Sequence, residues 1–582
     1  MNAALLLWSL PDYRVSIDSG YHISLARWYA AHGTAWWDHI NFGPGGRPNL
    51  QGPALHLAIA LLGKILGGTP DSFILANALL AIAQWGAAML TALYFARRLG
   101  GELPGMFAVA LLAGSAFASG SFYVGIPSGW LFIAIPWAIH FFLADRLVLA
   151  SLVTSGACYM HLGGFLTIPA GIAVAAALER RWRALLAVGA ATAILTAPYS
   201  IHFLANLSWY RGRHGHEALH FDRLLDILGL AGAIWLFRRP ADHKLLLAWT
   251  LAPLAWLVQD PNRFVAQSSL VAAVLAGLFV AATIRRIGSA RMRIALATAA
   301  VSLATLFPLG IPSLLAEGVW DAGLRYPRML DWNQSRALAA IVARNHLNDR
   351  LLWVYENSMG PSLAVFTPVV LFRGHWVEVQ PRHDPAVDLS AAAQAYVSPL
   401  APGDPAFATL EDMGLIRVYG GTGNCAVFTL THPGDPAALG SFTARMLEEN
   451  AAWLAENAIN NQMPKMVTPA ALAAHQRAMD AQRFRAARMS LVTMVYAYSL
   501  ERTRPDEARA LRGVARGFGS MASFLSDGDT IGFVSDSQHL QFRANMKAFA
   551  GALAAAHGDP YDSASVGRAT QRLFDDYFGT AA

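Results

Sequence analysis

Long apolar runs separated by short basic loops fill the chain from Phe73 to about Leu315, and most approach the roughly 20 residues that a helix needs to cross a hydrocarbon core. They predict spans over residues 73–96, 104–121, 128–144, 184–204, 225–237, 245–258, 265–284 and 294–315. Residues 149–178 are apolar throughout but too long for one untilted helix, and His161, Gly163 and Gly164 interrupt them. This pattern predicts two half-helices forming a hairpin, which a membrane tolerates where protein or a polar cavity surrounds the break. After Trp320 the texture changes to short alternating segments. A helix over 335–345, a strand over 351–355, a helix near 361–366 and strands over 369–372, 415–419 and 426–430 predict a small α/β unit with a partly parallel sheet. Gly420-Gly421-Thr422-Gly423 reads as the hairpin turn between the last two strands, since no helix follows to hold a phosphate. Beyond Pro433 the periodicity is helical, with amphipathic runs at 437–457, 469–501, 505–526 and 540–557.

Composition agrees. Of 582 residues, 55% are hydrophobic and 14% charged, more apolar surface than one soluble core could hide. The fold class expected is therefore a polytopic α-helical membrane protein with a C-terminal soluble α/β plus helical part: residues 1–318 in the membrane with a first outer loop over 12–68, 319–434 the α/β domain and 435–582 helical. The two cysteines, Cys158 and Cys425, fit neither a disulfide framework nor a zinc motif. A net charge of +6 does not point to nucleic acid here, because most Lys and Arg sit beside apolar runs. The apolar stretch 3–10 is too short to span and lacks a signal peptide's charged start, so either a first helix precedes this start or the chain begins at the membrane surface.

With the hairpin in place, Arg97-Arg98, Arg146, Arg180-Arg181-Arg183, Arg238-Arg239-Lys244 and Arg285-Arg286-Arg291-Arg293 fall on one side, which the positive-inside rule makes cytoplasmic. Residues 53–66 must then lie along the outer surface or re-enter, because a crossing there would invert every basic loop. The outer face gathers 12–52, 122–127, 206–223, 259–264 and everything after Glu317, placing the protein in the inner (cytoplasmic) membrane with an extracytoplasmic C-terminal region.

These outer loops carry the candidate chemistry. Asp18 opens a helical segment around 21–31, where an Asp before Ser-Gly is also an ordinary N-cap. The loop 206–223 holds Arg211, Arg213, His216, Glu217, His220 and Asp222; on a helix His216 and His220 would share a face, an acceptable metal spacing, although exposed histidines are more often merely solvated. Arg211, Arg213, Arg223 and Arg263 are cations on the side that usually lacks them. Guanidinium groups hold phosphate oxygens in a bidentate way, so an anion at the membrane surface is a reason to keep them; anionic headgroups are the blander one.

The run I-D-S-G-Y-H-I-S-L-A-R-W-Y-A-A-H-G, followed by W-W-D-H-I-N-F-G-P-G-G-R-P-N-L-Q-G-P-A-L-H-L-A, resembles the first outer loop of C-superfamily glycosyltransferases, closest to the oligosaccharyltransferase catalytic subunit of archaea and bacteria. That resemblance implies transfer of a sugar or oligosaccharide from a polyprenyl-phosphate or diphosphate donor to a protein, glycan or lipid acceptor. It gives Asp18 and Glu217 the catalytic roles and puts Arg263, with Arg211 and Arg213, on the donor phosphate. Tyr21, His22, Asn262 and His161 are the candidate substrate contacts, and Asp18, Glu217 and His216 the candidate ligands for Mn2+ or Mg2+. Two family motifs are missing: residues 119–130 contain no carboxylate, and no W-W-D-Y-G occurs in the tail. The competing readings are a transporter or flippase, in which His161 and the hairpin would line a pathway, and a non-catalytic membrane scaffold.

Overall fold

The computed structural model describes residues 18–34, 36–41, 46–114, 126–209, 223–237, 243–256, 261–296, 332–348, 350–354, 359–372, 395–398, 400–423 and 425–431, with a few more at 298 and between 484 and 515. The chain forms two compact units, residues 1–36 with 48–325 and residues 37–47 with 326–582.

The first unit is helical. Its elements are α1 (Asp18–His32), α2 (Ala54–Ile65), α3 (Pro70–Gly100), α4 (Glu102–Gly114), α5 (Pro127–Leu143), α6 (Leu147–Met160), α7 (Gly164–Glu179), α8 (Trp182–Ala205), α9 (Arg223–Phe237), α10 (Lys244–Leu251) and α11 (Pro261–Arg285). Pro70–Gly100, Trp182–Ala205 and Gln267–Arg285 are long and apolar enough to cross a membrane, and with the shorter apolar helices they make this a multi-pass membrane protein. α2, with 12 residues, is only about 18 Å long and cannot cross alone. The expected hairpin is present as α6 and α7. Gly163 donates its N–H to His161 Nδ1 (2.9 Å), so the break satisfies part of its own backbone. Gly164 is needed there because a Cβ would run into the backbone of Ala157 and Cys158.

Small residues let the helices approach closely. A Cβ on Gly277 of α11 would meet the Pro104 carbonyl of α4, and one on Gly232 of α9 would meet the Leu275 carbonyl of α11. The predicted span 245–258 differs in detail. Its α-helix ends at Leu251 and passes into a 3-10 turn, Ala252–Trp256, consistent with Pro253, which has no N–H for the helical ladder. Most of the predicted span 294–315 lies outside the described residues, as do 115–125.

The second unit holds α12 (Trp332–Arg344), β1 (Leu351–Val354), α13 (Met359–Phe366), β2 (Val370–Phe372), β3 (Ala395–Ser398), α14 (Pro405–Asp412), β4 (Ile416–Thr422) and β5 (Cys425–Leu430). Its sheet runs β2-β1-β3-β5-β4, with β1 parallel to β2 and β3 and the remaining pairs antiparallel. The glycine-rich run 420–423 forms the end of the β4–β5 hairpin: Gly420, Gly421 and Thr422 still pair with Val427, Ala426 and Cys425, the turn begins at Gly423 (φ +56°), and a register shift at Val418/Gly420 accompanies the left-handed Gly420 (φ +118°). A short piece of the first loop belongs to this unit, since Leu371 donates its N–H to the Ile40 carbonyl (2.6 Å). Residues 487–498 are helical, and Arg488 there pairs with buried Asp404 at 2.9 Å, the same carboxylate that caps α14 by accepting from Ala406 N–H. The other predicted tail helices lie outside the described residues.

Candidate functional site

α1 is buried almost all round from Ser19 to Ala26, packing against α2 and α3, and so carries polar side chains into the interior. Burying them without partners would be costly. His22, 3% exposed, places Nδ1 2.9 Å from Nε2 of His56, which is fully buried on α2. One ring must donate and the other accept, so the pair cannot carry a proton on both facing nitrogens. Burial pushes the His56 imidazole well below its ordinary range, and the neighbouring His22 ring pushes it the same way. Among the described residues, His56 Nδ1 and both amide atoms of buried Asn77 on α3 have no hydrogen-bond partner. Tyr21 and Tyr29 lie edge-on to the His56 ring at 6.1 and 5.7 Å.

The other end of α1 is tied to α8. Asn49 donates from Nδ2 to the Tyr29 hydroxyl (2.6 Å), while its carbonyl contacts His202 Nε2 at 3.0 Å. Tyr199 donates its hydroxyl to the Leu50 carbonyl (2.6 Å), and Trp36 stacks on the Tyr199 ring with centroids 6.4 Å apart. Gly52 lies so close to α6 that a Cβ would meet the Tyr159 carbonyl. Tyr199 and His202 are in the last two turns of α8, so these bonds tie the C-terminal end of α8 to residues 49–50 and, through Asn49, to Tyr29 near the C-terminal end of α1.

The helical hairpin and α11 join the same end of the bundle. Tyr159 and Phe165, on either side of the His161 break, each lie 5.8 Å from the Tyr199 ring. One turn into α7, Thr167 donates to buried Gln267 Oε1 of α11 (2.8 Å). Gln267 is four residues after Arg263, so the two positions share a helix face. Tyr21, His22 and His161 are thus placed. Asp18, Asn262 and Arg263 are placed by their backbone, and their side chains lie outside the described residues, as do Arg211, Arg213, His216 and Glu217.

Among the described residues no three His, Cys, Asp or Glu gather to hold a metal. His22 and His56 direct their facing nitrogens at each other, which does not fit an ion between them. The predicted ligands Asp18, His216 and Glu217 are not among the side chains described.

No family model and no curated protein matches this chain. Among solved structures, it is similar to ArnT from Cupriavidus metallidurans bound to undecaprenyl phosphate, at 16% identity and TM-score 0.49 over 73% of this chain and 96% of that one. It is similar also to the archaeal oligosaccharyltransferase AglB from Archaeoglobus fulgidus in complex with an inhibitory peptide and a dolichol-phosphate, at 14% identity and TM-score 0.41 over 84% of this chain and 82% of that one. The Archaeoglobus fulgidus oligosaccharyltransferase in complex with Zn and sulfate is a third, at 13% identity and TM-score 0.38 over 65% of this chain and 63% of that one.

Several residues of this end were not singled out from sequence. His56, Asn49, Tyr199 and His202 join it through contacts 20 to 153 residues apart in the chain. A lone histidine inside the apolar run A-L-H-L-A-I was the one available signal, and His56 supplies it.

Proposed function

We propose that this protein is an inverting glycosyltransferase of the inner membrane, moving a sugar or oligosaccharide from a polyprenyl-phosphate or diphosphate donor to an extracytoplasmic protein, glycan or lipid acceptor. The observation that carries the reading is the convergence of α1, the end of α8 and the start of α11 on one end of the bundle. The bonds behind that convergence join the Tyr29 end of α1 to the root of the loop bearing Arg211, Arg213 and Glu217, and the hairpin to the helix bearing Arg263, and the reading takes Asp18 to serve the same region.

In this reading an acceptor O–H or N–H attacks the anomeric carbon as the bond from that carbon to the phosphate oxygen breaks, in one displacement that inverts the centre. The acceptor proton passes to a carboxylate, Asp18 or Glu217. The leaving phosphate keeps the bond's electron pair, and Arg263, Arg211 and Arg213 neutralise it. Tyr21, His22, Asn262 and His161 are the candidate substrate contacts of this reading, Tyr21 and His22 from buried positions on α1. His22 is one turn after Asp18 on the same helix face. Its bond to His56 fixes the ring and makes it a positioning group. Where a divalent ion takes part, Asp18, His216 and Glu217 would hold it, and Mn2+ or Mg2+ would supply charge stabilisation for the leaving group.

The test is transfer of radiolabelled polyprenyl-linked sugar to acceptors in a lysate, comparing the wild-type protein with Asp18→Asn. Loss of roughly 10²- to 10⁴-fold in rate, with unchanged thermal unfolding, is the expected result. Equal transfer by both would remove Asp18 from the mechanism. No transfer by the wild type to any acceptor would favour the scaffold reading.

A further inference from the structure

At the far end of α3 from the His22–His56 pair, between α3 and α5, lies a cavity of about 750 Å3. Its walls are apolar, built from Leu90, Leu93 and Ile133, and Leu90 is 66% exposed on the flank of a helix long enough to span the bilayer. Its end is basic. Arg97 is paired with Glu102, whereas Arg98 has the Tyr94 hydroxyl as its partner (3.0 Å) and no acidic partner among the described residues. Between walls and end, the Tyr94 and Trp137 rings stack with centroids 5.0 Å apart, and Trp137 Nε1 donates to Thr91 Oγ1 (3.1 Å). The aromatic pair is therefore fixed in place, at the position between apolar and charged surroundings that Tyr and Trp favour at a membrane interface.

We propose that this groove binds an anionic glycerophospholipid of the leaflet on the basic side, with an acyl chain along α3 and the phosphate on Arg98. From Ala87 to Arg98 the wall follows roughly 16 Å of helix, room for an extended chain segment. Of the three charged groups at its end, one carboxylate cancels one guanidinium, so a single net positive charge faces the headgroup. A zwitterionic headgroup meets that charge with its own cation as well as its phosphate, and an anionic one meets it with phosphate alone. Basic pockets between membrane helices on this side are where anionic headgroups are held.

Titration of the full-length detergent-solubilised protein with phosphatidylglycerol and with phosphatidylcholine of identical chains, followed by native mass spectrometry, tests the site. The wild type should retain the anionic lipid preferentially. Arg98→Gln should lower phosphatidylglycerol retention about fivefold and leave phosphatidylcholine as it was, since one interfacial arginine contributes about that factor. Leu90→Trp, which fills the apolar wall, should lower retention of both. Each variant is compared at an unchanged unfolding temperature in detergent. Equal retention of both lipids by the wild type, or an unchanged phosphatidylglycerol preference in Arg98→Gln, would overturn the assignment.

Discussion

The two ends of the membrane unit handle polar groups in opposite ways. At the basic end, charges are paired at the surface, partly or fully exposed: Arg181 with Asp145, Lys244 with Glu179 at 2.7 Å, and Arg97 with Glu102. At the opposite end, neutral polar groups are buried and bonded across elements: His22 with His56, Asn49 with Tyr29 and His202, Tyr199 with Leu50. Exposed ion pairs contribute about 0–1 kcal/mol and need no function to explain them. Buried polar groups cost more to bring in, and leaving one unsatisfied costs about 1–3 kcal/mol, so an end that concentrates them is the better candidate for a site. Position in the fold, and not the number of charges, separates the two ends.

Among the predictions that would break this comparison, the largest effect on folding is expected at Gly52. Gly52→Val puts a side chain into the Tyr159 carbonyl of α6 and should cost about 1–3 kcal/mol or more, read as a drop in detergent unfolding temperature. A change at Gly189, where a Cβ meets nothing within 4 Å, should be close to neutral. An unaltered Gly52→Val protein would mean that the first loop does not pack on α6 as described.

The next effect is on pH dependence. His56 is buried, and its folded-state pKa lies below the unfolded value of about 6.5. The unfolded chain therefore binds more protons between those two values, so stability is complete above about 6.5 and declines as pH falls from there toward the folded pKa. Chemical denaturation across pH 4 to 8 should show this decline in the wild type and a flatter profile in His56→Gln. An equal slope in both would place the titration elsewhere.

The smallest effects sharpen the contrast between a buried bond and an exposed one. Tyr199→Phe removes a buried hydrogen bond to Leu50 and should cost about 1 kcal/mol or somewhat more. Asp145→Asn removes the charge of Arg181's partner, whose side chain is 75% exposed, while leaving the Arg181 bond to the Phe142 carbonyl in place, and should cost less, with the remaining loss disappearing at high salt. Urea titrations of the two variants side by side would read the difference, and a larger loss at Asp145 would reverse the comparison.

Much of the fold was legible in the chain because apolar length and period are local. The helices over 70–100, 127–143, 182–205 and 261–285, the hairpin broken at His161 and the strands over 351–354, 370–372, 416–422 and 425–430 follow from runs of neighbouring residues. The strand Ala395–Ser398 and the helix Pro405–Asp412 were missed, being short segments whose burial comes from the sheet around them. The candidate site was legible only in part. Asp18, Tyr21 and His22 stand in one readable motif, but His56 hides in an apolar run, and Asn49, Tyr199 and His202 acquire meaning only when the first loop meets the end of α8. Nor does any local pattern foretell that Ile40 shares a backbone hydrogen bond with Leu371.

The central claim is that the polar end and the basic end lie on opposite sides of the membrane, the polar end outside. Single cysteines introduced as Ser208→Cys, after α8, and Ser289→Cys, after α11, in a chain with Cys158 and Cys425 replaced by alanine, test it directly, since both serines are exposed. A membrane-impermeant maleimide applied to intact spheroplasts should label position 208 at once and position 289 only after permeabilisation. Labelling of 289 from outside with 208 protected, or of both from one side, would contradict the account.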